Sequence, residues 1–421
     1  MPLLWREYPC RPGGVPESEV RMDGREQIIE RARALEGVVA ERLSRLVRLP
    51  SPSGGEEAVV RELARQLEDA GADEVRIDPL GNVIARLGNG PRVLAIDAHV
   101  DVVDVGNRAN WSFEPFSGEI RDGFVLGRGA ADQKGGAAAF VTAVEILRSV
   151  GVPEGLTLYL TGTVMEEDCD GLCWNYIVEE DGLRPDLVIS TEPTSLNLYR
   201  GHRGRIEIEV VFRGVSAHGS APERGHNAIY DAARVALGVE ALNERLAVDP
   251  FLGKGSVTVS EFVSGAPSLC AVADSARIHL DRRLTWGETR ESAVAEVEAL
   301  LDERCNARVE VLRYHGRAWT GLEYGMEKYY PTWKLPEDHP DVARGVLVHK
   351  RLFGTPPTVD KWTFSTNGVT IRGIHGIPVI GFGPGDEVMA HAPDEKAPVE
   401  HLWRAAAFYV GYALAFGGKE D

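Results

Sequence analysis

The chain has 421 residues, 43% of them hydrophobic and 26% charged, with 46 Gly and 24 Pro. That composition excludes a disordered tail, a collagen-like fibre and a disulfide mini-scaffold, and the length suits two or three domains with substantial cores. Asp and Glu number 64 against 46 Lys and Arg, a net charge of −18 that repels phosphate backbones and acidic lipid surfaces, so neither nucleic acid nor membrane is expected as a partner.

The opening segment MPLLWREYPCRPGG has no apolar run of the signal-peptide kind. No stretch nears the roughly 18–20 apolar residues of a membrane span. Five scattered cysteines (Cys10, Cys169, Cys173, Cys270, Cys305) give no disulfide framework and suit a reducing compartment, so a soluble, cytoplasmic protein is expected. Cys169 and Cys173 have no second pair to complete a thiolate metal site and read as small buried residues.

A helix is predicted over residues 25–48, with Ile28, Ile29, Leu35, Val38, Val39 and Leu43 near a 3.6-residue period. Ser53-Gly54-Gly55-Glu56 opens a second helix in capping-box style, running to about Ala70. Strand-like and helix-like segments then alternate: VLAIDAHV at 93–100, an Ala-rich helix at 134–150, LTLYLTGTV at 156–164 and LVIST at 187–191. This alternation predicts an α/β fold with a mainly parallel sheet.

The middle of the chain reads differently. RIEIEVVFR at 205–213 alternates apolar and charged residues like a half-buried strand. A helix (227–245), two strands (256–263 and 276–284), a helix (288–301) and a strand (307–312) follow, a βαββαβ unit of ferredoxin-like type. The stretch 314–340 is long, irregular and aromatic-rich, a functional loop or a linker. A strand at 377–382 and a helix at 399–416 restore α/β character. The simplest organisation is an α/β domain from 1–203 and 313–421, interrupted by an inserted unit over 204–312.

Ligand-type residues fall where the apolar strands end. VLAIDAHVD carries His99 and Asp101, which share a face at a period of two, so the acid can orient the imidazole and fix its tautomer. GRGAADQKGG places Asp132 in a Gly-rich loop before a helix; Glu166 and Glu167, Glu192, and His391 each follow a strand. In open α/β sheets sites lie at the carboxyl ends of the strands, and packing alone gives no reason to collect such groups there. Two His and several carboxylates suit zinc, with cobalt or manganese as substitutes, and one His per ion with shared carboxylates suggests two ions. Glu166 and Glu167 are adjacent and face different ways, so one can ligate while the other stays free as a base.

HVD at 99–101, GRGAADQKGG at 127–136, EE at 166–167, EP at 192–193 and HAPDE at 391–395 resemble the motifs of the di-zinc aminoacylase/carboxypeptidase family, which includes acetylornithine deacetylase and succinyl-diaminopimelate desuccinylase. The resemblance runs over nearly the whole chain after the first twenty or so residues. It implies that Asp132 bridges two zinc ions, with His99 and Glu192 on one and Glu167 and His391 on the other. Asp101 would stand behind His99, and Glu166 would be the general base that activates water for amide hydrolysis. The inserted unit matches the family's lid, which commonly forms a homodimer interface, and His218 in SAHGSAPERGHNAI matches a lid His that reaches an active site, often the partner's. Arg283 matches an Arg that holds a substrate carboxylate. Asn367 and Gly368 fall in the substrate-binding segment, where many relatives have Asp-Gly or Asp-Ala followed by Arg; here Val369 follows, and that way of gripping an α-carboxylate is not matched. The 314–340 stretch resembles a less characterised branch of hydrolases linked to selenium metabolism. The implied substrate is a small N-acylated amino acid, a short peptide or a related amide.

Other readings are weaker. A metal-stabilised scaffold has no need of the free base Glu166, and a two-metal phosphoesterase would need a basic phosphate cradle that is missing here. His226 reads as a helix-start residue, and His202, beside Arg200, Arg203 and Arg205, as part of a basic rim at the domain junction.

Overall fold

A computed structural model describes residues 24–418; the readings of the N-terminal segment and of Cys10 lie outside these residues. The larger sheet has eight strands in the order Glu74–Ile77, Val83–Gly88, Leu156–Thr163, Arg92–His99, Leu187–Ser190, Val379–Gly381, Leu198–Tyr199 and Val359–Asp360. The four strands at its centre, from Leu156–Thr163 to Val379–Gly381, run parallel. Antiparallel pairs flank them, so the sheet is mixed. The helices Gly135–Val150 and Val399–Gly417 pack on each other and on the strands 92–99 and 156–163. The first of them abuts the end of strand Leu187–Ser190: a Cβ on Gly136 would lie 1.9 Å from Thr191 Oγ1, so only glycine fits there.

The inserted unit is an antiparallel sheet in the order Ser256–Gly265, Ser275–Leu284, Gly204–Arg213 and Ala307–Val311, covered by the helices Ala228–Arg245 and Arg290–Glu298. Strand 204–213 alternates buried and half-buried residues along its length, as its pattern predicts. Ile206, Ile208, Val210 and Phe212 form a core with Ile278, Leu280, Val235 and Val239 that is separate from the core of the larger sheet.

Several local expectations are corrected. The first helix is two, Arg25–Ala34 and Glu36–Val47, broken at Leu35. The helix Glu57–Asp69 starts after the whole Ser53–Glu56 segment and has no side-chain cap; Ser53 donates its hydroxyl to the buried Asp101 Oδ2 at 2.7 Å. The segment 314–340 is ordered: Arg313–Arg317 and Glu323–Glu327 form a hairpin, and Tyr329–Tyr330 pairs back onto strand 204–213. The hairpin is strapped to the larger unit by Tyr314 to Asp168 (2.9 Å), Thr320 to the Pro79 carbonyl (2.7 Å) and Trp319 to the Gly81 carbonyl (3.3 Å). No helix among the described residues is long and apolar enough to cross a membrane.

Candidate metal centre

Asp132 sits in the turn Ala130–Lys134 between the strand Phe124–Leu126 and the helix Gly135–Val150. The backbone N–H groups of Ala131 and Asp132 donate to Glu395 Oε1 at 2.9 and 3.0 Å. Glu395 in turn pairs with Arg128 at 2.7 Å, and Arg128 also donates to the carbonyls of Ala392 and His391. One buried ion pair therefore ties the Asp132 turn to the His391 loop. Sequence reasoning did not assign Arg128 or Glu395, although both lie inside the quoted motifs; their pairing across 267 positions leaves no local signal.

His99 ends its strand with Nε2 3.0 Å from Asp132 Oδ1, 3.8 Å from Glu192 Oε1 and 3.9 Å from Glu166 Oε2. Its Nδ1 lies 3.0 Å from the Asp101 carbonyl and 3.5 Å from the Asp101 carboxylate, which also accepts from the Glu167 N–H at 3.0 Å. His391 Nε2 lies 2.8 Å from Glu167 Oε2 and 3.5 Å from Asp132 Oδ2. Met165 and His391, which border these ligand loops, have φ near 60°, a left-handed conformation that side chains rarely adopt and that clusters at functional sites. The six side chains His99, Asp132, Glu166, Glu167, Glu192 and His391 thus meet in one place, as the strand-end pattern predicts.

Electrostatics mark this place as short of positive charge. Burial and neighbouring acids push Glu166 and Glu192 well above the usual carboxylate range, and burial with the Asp132 charge lifts Glu167 to about 7. Burial works against a charged His99, but hydrogen bonds to Asp101 and Asp132 and the charges of Glu166 and Glu192 outweigh it and hold the imidazole well above its ordinary value. Glu166 Oε1, Glu192 Oε2 and Asp101 Oδ1 are buried with no hydrogen-bond partner among the described residues. Buried carboxylate oxygens of this kind are costly unless a cation meets them. Ligand atoms of His99, Asp132 and Glu167, and of His99, Glu166 and Glu192, lie within 4.8 Å of one another, so the donor set fits divalent metal.

The centre opens into a cavity of about 400 Å³ whose other walls are Asp170, Arg205, Arg283, Phe364, Ser365, Glu387 and Ala390. Arg283 is thus among the lining residues. Asn367 and Gly368 are not among the lining residues. Asn367 Nδ2 donates to Asp97 (2.9 Å) and Thr163 (3.3 Å), and its Oδ1 accepts from the Gly171 N–H and the Cys173 thiol. Gly368 is packed under the Trp333 ring. Both are spent on the core and have nothing left to offer a substrate. His218 is exposed on the inserted unit, with Nδ1 bonded to Ser220, outside this cavity.

The expected basic rim is also revised. His202 is buried, its Nδ1 bonded to the Arg203 carbonyl while Nε2 accepts from Trp333 and the Thr366 N–H, so burial holds it neutral, down at about 4. Arg205 pairs with Asp170, and Arg200 donates to the Leu335 carbonyl and covers the Phe251 ring. His226 lies 2.5 Å from Asp231, just before and within the helix Ala228–Arg245, in keeping with a helix-start residue. Cys169 and Cys173 are buried free thiols pushed upward by burial, Cys169 to about 12, and hold no metal-ligand geometry.

The carboxylate–imidazole cluster lies beside a cavity at the carboxyl ends of the central parallel strands of the mixed sheet, the arrangement of a metal-dependent α/β enzyme. Residues 95–415 match Peptidase family M20/M25/M40, and the chain belongs to that family. It is 50% identical over 394 residues to the uncharacterized protein YgeY of Escherichia coli (strain K12), covering 93% of this chain and 98% of that protein. It is 28% identical over 385 residues to the succinyl-diaminopimelate desuccinylase of Methylocella silvestris, covering 86% of this chain and 94% of that enzyme. Among solved structures it is similar to YxeP of Bacillus subtilis, a dinuclear metal-binding M20 peptidase, with TM-score 0.68, 15% identity and 91% and 98% coverage. The protein is an M20-family metallohydrolase related to desuccinylases and deacetylases.

Proposed function

We propose that the protein hydrolyses an amide bond of a small N-acylated amino acid or short peptide, using two zinc ions that cobalt or manganese can replace. The observation that carries the reading is the convergence of His99, Asp132, Glu167, Glu192 and His391, with Glu166 beside them, around buried carboxylate oxygens that lack partners. Asp132 would be shared by both ions, with His99 and Glu192 completing one set and Glu167 and His391 the other. When bound, such cations lower the pKa of water and polarise a carbonyl. Asp101 holds the His99 ring through Nδ1 and so keeps Nε2 turned toward the centre. Glu166 takes the proton of the attacking water at its carboxylate and later returns it to the leaving nitrogen. Its buried position beside His99 and its unpartnered Oε1 support that role.

The inserted unit would act as a lid and as the contact between two chains. Supporting this, its edge strand Ser256–Gly265 is open on one side, and the exposed Leu237 and Phe262 line one surface groove between that strand and the helix Ala228–Arg245. His218 would then serve the partner subunit's cavity, where it would stabilise the developing oxyanion. The free thiols of Cys169, Cys173, Cys270 and Cys305 support a reducing, cytoplasmic setting.

The test combines metal analysis with a panel of acyl-amino acids, dipeptides and phosphate esters, with and without chelator, on wild type and Glu166→Gln. Amide hydrolysis that chelator abolishes is expected, with Glu166→Gln keeping its metal and losing about 10³-fold or more in kcat. A metal-loaded Glu166→Gln enzyme of full activity would overturn the base assignment, and phosphate-ester turnover without amide turnover would overturn the reaction class. Mass measurement in solution decides the lid pairing.

A further inference from the structure

The wall facing the metal centre carries an arrangement that ordinary sheet packing disfavours. Arg205 on strand Gly204–Arg213 and Arg283 on strand Ser275–Leu284 are direct cross-strand partners, and both line the cavity. Like charges placed opposite one another on adjacent strands repel. Each guanidinium is held in place by its own carboxylate. Arg283 grips Asp281 with Nε and Nη2 at 2.7 and 2.9 Å, which leaves Nη1 uncommitted by that pair. Arg205 reaches across from the inserted unit to Asp170 at 3.1 Å, lies 4.0 Å from Glu207 and has its guanidinium over the Tyr330 ring at 4.6 Å. Its Nε is buried with no acceptor among the described residues.

A guanidinium presents five N–H donors in a rigid fork, so these carboxylates fix the two groups without exhausting them. Both side chains line the cavity that the metal-centre residues also line, although Arg205 Nε itself is buried away from it. Asp170 and Glu387 also line it, and they would repel any anion that the two guanidiniums did not hold directly. The requirement is therefore for two oxyanion groups spaced to meet two neighbouring forks, not for diffuse negative charge.

We infer that Arg205 is a specificity-determining residue that, beside Arg283, selects amide substrates bearing two carboxylates: an α-carboxylate together with a second one on the amino-acid side chain or on the acyl group. This rests on the hydrolase reading above and narrows it to a substrate class. One carboxylate meets Arg283, the second meets Arg205, and the amide between them is presented to the centre.

Matched substrates differing by a single charge test it: N-acetylglutamate against N-acetylglutamine, and N-succinylalanine against N-butanoylalanine. With metal-loaded wild type, kcat/KM for the dianion of at least one pair should exceed that of its monoanionic partner by about 30-fold, the scale of a charge-assisted hydrogen-bonded pair. In Arg205→Gln that ratio should fall below about 3-fold, mainly through KM, and Arg205→Lys should recover part of it. A wild-type ratio near one in both pairs, or a preference that survives in Arg205→Gln, overturns the inference. Calorimetric binding of the same four compounds to metal-loaded Glu166→Gln reads the selectivity without turnover. If no amide is hydrolysed, the hydrolase reading fails; the binding ratio alone then decides the role of Arg205, by the same thresholds with Glu166→Gln and the double variant Glu166→Gln/Arg205→Gln.

Discussion

Asp97 and His99 lie two residues apart on one strand, yet they anchor buried polar clusters of opposite kinds. Around Asp97 both oxygens are occupied: Thr161 donates at 2.7 Å and Thr163 at 3.3 Å to Oδ1, and Asn367 at 2.9 Å to Oδ2. Around His99, Glu166 and Glu192 each keep a buried oxygen without a partner. The difference separates structure from site. A buried acid closed by neutral donors belongs to the core, whereas buried acids left open define a place for a cation.

The largest expected effect should come from the open cluster. Glu192→Ala should lower metal stoichiometry and cut kcat/KM by about 10³-fold or more, while the metal-free protein unfolds at the same urea midpoint as wild type or a higher one, because an unpaired buried carboxylate is gone. A metal-free variant clearly weaker than wild type would show that Glu192 is structural and would erase the contrast.

A closed cluster titrates in the opposite sense. His202 is held neutral, its pKa depressed to about 4, while an unfolded His titrates near 6.5. Below 6.5 the unfolded chain binds a proton that the folded chain refuses, so this contribution is complete above 6.5 and lost as pH falls toward 4. About 3 kcal/mol is at stake. Urea unfolding of metal-free protein at pH 7 and 4.5 should show a steeper loss in wild type than in His202→Gln; equal slopes would contradict the closed network.

Asp97→Asn should cost about 2 kcal/mol of stability, since an amide set against the Asn367 amide leaves one donor unmatched, and it should leave metal stoichiometry at the wild-type value. Metal loss in that variant would mean the two clusters are one. The smallest effect is expected from Ser53→Ala, which removes one hydrogen bond to Asp101 at 2.7 Å: about 1 kcal/mol or a few-fold in kcat/KM.

Part of this site is legible in the sequence because His99, Glu166, Glu167 and Glu192 stand at or just past strand ends and strands announce themselves by apolar runs. Asp132, in a Gly-rich turn before a helix, and His391, in a loop ten residues past its strand, are legible instead through the motifs that hold them. What stayed hidden depends on partners chosen across long separations. Nothing near Asn367 in sequence reveals that its amide is consumed by Asp97 and Gly171, so a motif position for substrate binding proved to be core. Arg128 and Glu395 carry no local mark of the ion pair that aligns two ligand loops. The Ser53–Glu56 capping pattern failed because the helix starts only at Glu57, which leaves Ser53 three residues before the cap position and its hydroxyl on Asp101. The hairpin 313–327 escaped because its strands are short and polar on one side, and its anchoring contacts reach residues 79–81 and 168.

The most direct test is X-ray diffraction at the zinc absorption edge from crystals grown with zinc. Two anomalous peaks, one on each side of Asp132 and flanked by His99 with Glu192 and by Glu167 with His391, are the expected result. Peaks confined to other surfaces, or density at this cluster that shows only water, would contradict a paired-cation centre.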